Sequence, residues 1–178
     1  MDLRPIQPDD LELITEFFER VPERDRTFFN EDVLDPVVVE GFLHPRDGDQ
    51  RLILLDEDGS VVVGWVALFG GVGWSQHVAR IGLVVDPAAR GRGLGKRLAR
   101  EGLLRGLQAG YSKLVVEIIA EERPAIAMFQ AIGFQIEALL LDHVRDLAGN
   151  VHDLVVLTHH AEQARSELDA VGIGSELD

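Results

Sequence analysis

Arg90-Gly91-Arg92-Gly93-Leu94-Gly95 restricts this chain more than any other segment. An apolar, strand-like run at 81–85 and a turn at Asp86-Pro87 precede it, and a helix-like stretch at 96–109 follows. Glycines at alternate positions remove Cβ atoms from the backbone, so several N–H groups can converge on one ligand oxygen. The helix that follows adds its unpaired N-terminal donors and the positive end of its dipole. Arg90, Arg92 and Lys96 add charge of the same sign. A strand, a glycine loop and a helix in this order make an α/β unit whose loop holds an anion, a phosphate or pyrophosphate.

Spacing separates the phosphate loops. A nucleoside-triphosphate loop, G-x-x-x-x-G-K-[ST], would put its first glycine on Arg90 and its hydroxyl on Arg97. The dinucleotide fingerprint G-x-G-x-x-G needs its third glycine one residue later, and it opens its domain, whereas here about half the chain comes first. The pattern that fits is R-x-x-G-x-G after a strand ending in Asp-Pro. It resembles the coenzyme A pyrophosphate loop of the GNAT superfamily of N-acetyltransferases. Ala125-Ile126-Ala127-Met128-Phe129 followed by Gly133-Phe134 is similar to a second motif of that family, A-x-x-x-Y-x-x-x-G-F.

The remaining pattern agrees in order. Residues 1–6 read as a strand, and Pro8-Asp9-Asp10 opens an amphipathic helix through Leu11, Leu13, Ile14, Phe17 and Phe18. Asp35 as N-cap and Pro36 at the first helical position start a second helix. Residues 51–56 and 60–69 form a hairpin around Glu57-Asp58-Gly59, and 77–86 is a fourth strand. A helix at 94–109, a strand at 111–120, a helix at 123–131 and a closing pair at 134–145 and 152–159 complete the series. The resemblance thus covers residues 1 to about 160 and implies an α/β (α+β), single-domain GNAT-like fold. Its sheet is central, mixed and mostly antiparallel, with about seven strands flanked by helices, and its fourth and fifth strands are splayed. Residues 1–160 are the N-acetyltransferase domain and 161–178 a polar C-terminal helix or tail. In the helix after the loop, Gly102 and Gly106 each cost about 1 kcal/mol of propensity relative to alanine. Their four-residue spacing puts both on one face, where they let the helix lie close to the sheet.

Charge and composition narrow the partners. A chain of 178 residues suits one domain. Net charge is −14, which repels nucleic acid and suits a cationic amine. No apolar run reaches the ~20 residues of a membrane span, and the first residues lack a leader pattern, so the expectation is a cytoplasmic protein with no membrane partner. The absence of cysteine excludes disulfides, thiolate metal sites and a thiol nucleophile. His143, His152, His159 and His160 lack the spacing of a compact ligand set, so no metal is assigned. A homodimer is left open.

The resemblance implies an enzyme that moves an acetyl group from acetyl-CoA, its co-substrate, to a primary amine by direct attack. The acceptor is a small amine, an amino-acid-like molecule or a protein lysine. Leu83, Val84 and Val85 would meet the pantetheine arm and thioester. Arg90, Gly91, Arg92, Gly93, Leu94, Gly95 and Lys96 would hold the pyrophosphate, with Glu122 and Phe129 also beside the coenzyme. Three positions depart from the family pattern: Phe129 replaces the usual tyrosine acid, Glu122 a common asparagine, and Arg80 the usual fourth-strand glutamate base. These departures keep a second reading in play, a non-catalytic acyl-CoA-binding sensor or regulatory module. Glu117, inside Val115-Val116-Glu117-Ile118-Ile119, is the foremost candidate base, because burial among apolar strands would raise its pKa. An ion pair with Arg80 on the neighbouring strand is the competing reading of Glu117. His77 is a second candidate, and Glu121 and Glu122 remain open.

Overall fold

The computed structural model describes residues 1–26, 29 and 31–161. The expected tail therefore lies, after Ala161, outside the described residues. The chain runs β1 (Leu3–Pro5), α1 (Leu11–Arg20), α2 (Glu23–Arg26), α3 (Pro36–Phe42), β2 (Gln50–Leu55) and β3 (Val62–Gly70). It continues through β4 (Val78–Val85), α4 (Leu94–Gln108), β5 (Lys113–Ile119), α5 (Arg123–Gln130), β6 (Gln135–Arg145) and β7 (Val151–His160). The seven strands form one sheet in the order β1-β2-β3-β4-β5-β7-β6, mixed and mostly antiparallel as expected. β4 and β5 are the parallel pair.

Local chemistry explains the elements. Ile14, Phe17 and Phe18 recur at helical spacing and are fully buried, so α1 presents one apolar stripe to the sheet. Asp35 caps α3 by accepting from the Val37 N–H at 2.9 Å, with Pro36 at the first helical position. α2 lies between the two helices expected from the sequence, which did not foretell it. Its four residues, Glu23-Arg24-Asp25-Arg26, are all charged and bury no side chain, so no apolar period announces them.

Alternation along the strands divides the core in two. Leu52, Leu54, Val66, Leu68, Ala79, Ile81, Leu114 and Val116 pack under α4 and α5. Ile53, Leu55, Trp65, Ala67 and Val84 pack under α1 and α3. Trp65 anchors the second layer, its ring 5.8 Å from Phe18, 5.8 Å from Phe29 and 5.9 Å from Phe42.

The two mid-helix glycines of α4 do what their spacing suggested. A Cβ at Gly102 would stand 2.9 Å from Ile81 Cγ2 and 3.2 Å from Val66 Cγ2, and one at Gly106 would enter the Leu114 methyls. Leu114 is fully buried and has nowhere to retreat. Gly106→Ala is therefore expected to cost about 1 kcal/mol net, because overpacking of ~1–3 kcal/mol outweighs the ~1 kcal/mol gained in propensity. Urea unfolding measures this, and a stabilised variant would show that α4 does not need the close approach.

Candidate active site

The β4–β5 ladder has three pairs, Val78↔Lys113, Ala79↔Leu114 and Arg80↔Val115, and then the strands part. The opening is lined by main chain. The Asp86 N–H donates to Val63 O at 3.0 Å and the Gly71 N–H to Val78 O at 2.8 Å, so even-numbered residues of β4 bond to β3. By alternation, the N–H and C=O of Leu83 and Val85 point towards β5, into the gap. Val84 does not share that role, since its main chain pairs with Trp65 and its side chain is buried under α1 and α3. On the other wall, the Ala120 N–H donates to Asp153 O at 2.9 Å, so Glu117 and Ile119 turn their backbone into the gap.

At the wide end of the gap stands the glycine loop. Asp86, 5% exposed, holds its start by accepting from the Ala88 N–H at 2.9 Å and from Arg20 Nε at 2.8 Å. Gly91 and Gly93 have φ of 75° and 78°, and a Cβ on either would meet nothing within 4 Å. The left-handed backbone and the open space beside it make a cradle that a side chain would fill. Gly93 is the N-cap of α4, and Arg97 is the first to close the helical ladder, donating to Gly93 O at 3.2 Å. The N–H groups of Leu94, Gly95 and Lys96 thus have no intrahelical acceptor. Gly95 serves packing as well, since its Cβ would stand 3.3 Å from Met128 Sδ on α5. Gly93, Lys96, Arg97 and Arg100 also border a groove of about 340 Å³ with Glu101 and Leu104.

The loop's cations divide. Arg90 is already engaged: it pairs with Asp25 of α2 and donates to Val85 O at 3.2 Å, so it braces the loop rather than offering a free charge. No described residue pairs with Arg92 or Lys96. The Arg20–Asp86 and Arg90–Asp25 clamps span 66 and 65 residues, and no local motif announces such pairings.

Glu117 is not buried between apolar strands. Its side chain is 39% exposed and its Oε2 is 3.3 Å from Arg80 Nη1, the alternative weighed from the sequence. The apolar layer on that face of the sheet draws on β2, β3 and β4 but on no residue of β5, so the face is open at Glu117. Arg80 also lies over the Phe69 ring at 5.1 Å. His77 is exposed just before β4, and its carbonyl accepts from the N–H groups of Ser112 (3.0 Å) and Lys113 (3.2 Å). That puts it about 10 Å along the strand direction beyond Arg80, at the closed end. Glu122 is the exposed N-cap of α5, and its carbonyl accepts from Ala125 and Ile126. Phe129 is 4% exposed, its ring 5.2 Å from Phe134. Among the described residues no group of three or more His, Asp or Glu side chains is placed to hold a metal.

Glu121 is occupied elsewhere, its Oε1 3.2 Å from His152 Nδ1, while His152 Nε2 is 3.2 Å from Asp146 Oδ2. The Asn150 side chain, with help from His152, lowers Asp146 from 3.8 to about 2. Hydrogen bonds to Asp146 and Glu121 raise His152 above 6.5. The Asp146 contribution is full above 3.8 and is lost as pH falls towards 2. The His152 contribution is full below 6.5 and is lost as pH rises through its higher folded value. Amide protection in the 146–152 turn, taken as the exchange rate relative to the unfolded chain at the same pH, should therefore be greatest between about pH 4 and 6.5. An NMR titration placing His152 below the ordinary histidine value would contradict this.

Comparison with known proteins places this arrangement. The family model described as "Acetyltransferase (GNAT) family" matches residues 11–134. YwnH of Bacillus subtilis (strain 168), named for phosphinothricin acetylation, is 26% identical over 160 residues, covering 88% of this chain and 97% of that one. A mycothiol acetyltransferase of Rhodococcus opacus (strain B4) is 38% identical over 111 residues, which are 62% of this chain and 34% of that protein. Among solved structures, a ribosomal-protein-alanine N-acetyltransferase from Brucella melitensis superposes with TM-score 0.79 at 22% identity, covering 90% and 99% of the two chains. A phosphinothricin acetyltransferase from Sinorhizobium meliloti in complex with AcCoA does so with TM-score 0.75 at 22% identity, covering 89% and 87%.

Proposed function

The chain belongs to the acetyltransferase (GNAT) family, and on that premise we propose that it transfers an acetyl group from acetyl-CoA to a primary amine by direct attack, with residues 1–160 as the catalytic domain. The observation that carries this reading is the parting of β4 from β5 after Arg80↔Val115, with the main chain of Leu83 and Val85 turned into the gap and the glycine cradle at its wide end.

The residues fit a pyrophosphate and a pantetheine arm. The N–H groups of Leu94, Gly95 and Lys96 aim at the cradle, the α4 dipole adds to them, and Arg92 and Lys96 supply charge. Leu83 and Val85 offer donors to an extended arm, as an added strand would require. When bound, acetyl-CoA supplies the thioester whose carbonyl carbon the amine attacks, the C–N bond forming as C–S breaks and the thiolate leaves. The β4 donors polarise the thioester oxygen. Glu117, at the vertex of the gap, takes the proton that the ammonium must shed. Phe129 has no proton to return, so water protonates a thiolate whose conjugate acid resembles free cysteine, pKa ~8.5.

The enzyme reading extends to a cytoplasmic protein whose acceptor is a small-molecule or lysine amine. No described helix is long and apolar enough to cross a membrane. A net charge of −14 disfavours nucleic acid. Free thiol released from acetyl-CoA above background in the presence of a primary amine tests it. Release that no amine stimulates, despite bound coenzyme, would favour an acyl-CoA sensor instead.

A further inference from the structure

The face of the sheet under α1 and α3 carries a row of residues across four strands, charged on β2, β4 and β5 and aromatic on β3. Phe69 of β3 stands directly opposite Arg80 of β4, and Arg80 opposite Val115, with Glu117 one pleat further along β5. On the β2 side, Arg51 lies over the same Phe69 ring at 5.7 Å and over Phe42 at 5.2 Å. Two guanidiniums therefore share one phenyl ring beside the vertex of the gap, in a chain of net charge −14.

The two arginines differ in setting. The Arg51 side chain is only 9% exposed, and its Nε and Nη1 are buried with no hydrogen-bond partner among the described residues. Its nearest carboxylate, Asp49 at 3.7 Å, also accepts from the Gly70 N–H at 3.0 Å and from Arg46 Nε at 3.3 Å. Burial lowers the Arg51 pKa from the usual guanidinium value, as expected for a charge incompletely compensated. A buried donor left unsatisfied calls for a reason. Arg80 and Glu117, in contrast, are 37% and 39% exposed and pair at 3.3 Å. A half-exposed ion pair of this kind is weak.

We propose that the acceptor is an amine that also carries a carboxylate-type anion, with Arg80 receiving the anion, Glu117 the ammonium, and Arg51 behind Phe69 setting a cationic field that disfavours acceptors bearing positive charge alone. The inference rests on the acetyltransferase reading and deepens it. A zwitterionic acceptor replaces the Arg80–Glu117 pair with an ion pair to each of the two side chains. A simple amine draws Glu117 away from Arg80 and leaves its ammonium facing two guanidiniums with one carboxylate between them. Phe69 restricts the guanidinium plane of Arg80 from behind, which favours planar recognition of a carboxylate. This local charge outweighs the general attraction of an acidic protein for cationic amines, because interactions beyond about 8–10 Å are screened at ordinary salt.

The test compares kcat/KM, by thiol release from acetyl-CoA, for phenylalanine against phenethylamine and leucine against isoamylamine, with spermidine as the purely cationic probe. The expected ratio of acid to decarboxylated partner is roughly 10- to 100-fold, the range of one hydrogen bond to a charged group. Arg80→Met should collapse that ratio and Arg80→Lys restore part of it, which a merely structural role of Arg80 would not do. A decarboxylated amine or spermidine used as well as the acids, or a ratio unmoved by Arg80→Met, overturns the inference and leaves the transferase reading standing. If no probe turns over, the same pairs are titrated calorimetrically into the coenzyme-loaded protein. Binding of the amino acids that Arg80→Met abolishes supports the inference, and no preference for the acids sinks it. A protein that does not bind acetyl-CoA at all takes down both readings.

Discussion

Gly93→Val is expected to weaken acetyl-CoA binding at least about 100-fold, equivalent to about 2.7 kcal/mol. Two causes act together. Gly93 has φ of 78°, a region that costs a non-glycine residue roughly 1–3 kcal/mol and a β-branched one most. The new side chain also projects into the open space of the cradle, since nothing in the protein lies within 4 Å of a Cβ there. For the same reason the substitution displaces no core contact, and the variant should still fold, with modestly reduced stability. Arg92→Ala should cost less, because the N–H groups of Leu94, Gly95 and Lys96 remain, and its effect should fade with added salt. Calorimetric titration decides this. Unchanged affinity in Gly93→Val would remove the loop from the coenzyme site.

Glu117→Gln is expected to reduce turnover by about 10²–10⁴ while leaving coenzyme affinity nearly unchanged. Glutamine keeps the shape of the side chain and cannot accept the ammonium proton. The acidic limb of the pH–rate profile should disappear with the carboxylate. Coenzyme affinity is insulated because the proposed anion contacts are backbone groups at the other end of the gap. Wild-type turnover in Glu117→Gln would transfer the base to His77, Glu121, Glu122 or water. Of these, Glu121 is already held by His152.

The order of the elements along the chain and most of their ends could be read from periodicity and punctuation. Asp35-Pro36 at the start of α3, Asp86-Pro87 at the end of β4 and the α4 boundary at Gly93-Leu94 each carry a local stereochemical reason, and the structure keeps all three. Other features depend on what the neighbours do. Val115-Val116-Glu117-Ile118-Ile119 has the composition of a strand covered on both faces, yet Glu117 is exposed because the apolar layer on its face reaches β4 and includes no residue of β5. Arg90 reads as a ligand for an anion until Asp25, 65 residues earlier, is found against it. Arg51 stands just before the apolar run Leu52-Ile53-Leu54-Leu55, without any motif around it. Its importance emerges only when Phe42 and Phe69 are seen on either side. Backbone chemistry is written locally, whereas the pairing of charges is settled by the tertiary fold.

On the proposed reading, the gap between β4 and β5 and the glycine cradle form one continuous coenzyme site. Backbone amide NMR during titration with acetyl-CoA tests it most directly. The largest shifts and the strongest new protection are expected on Leu83, Val85 and residues 91–96, with Val84 affected less because its main chain belongs to the β3 ladder. Saturable binding that leaves Leu83, Val85 and the cradle amides unmoved would contradict it.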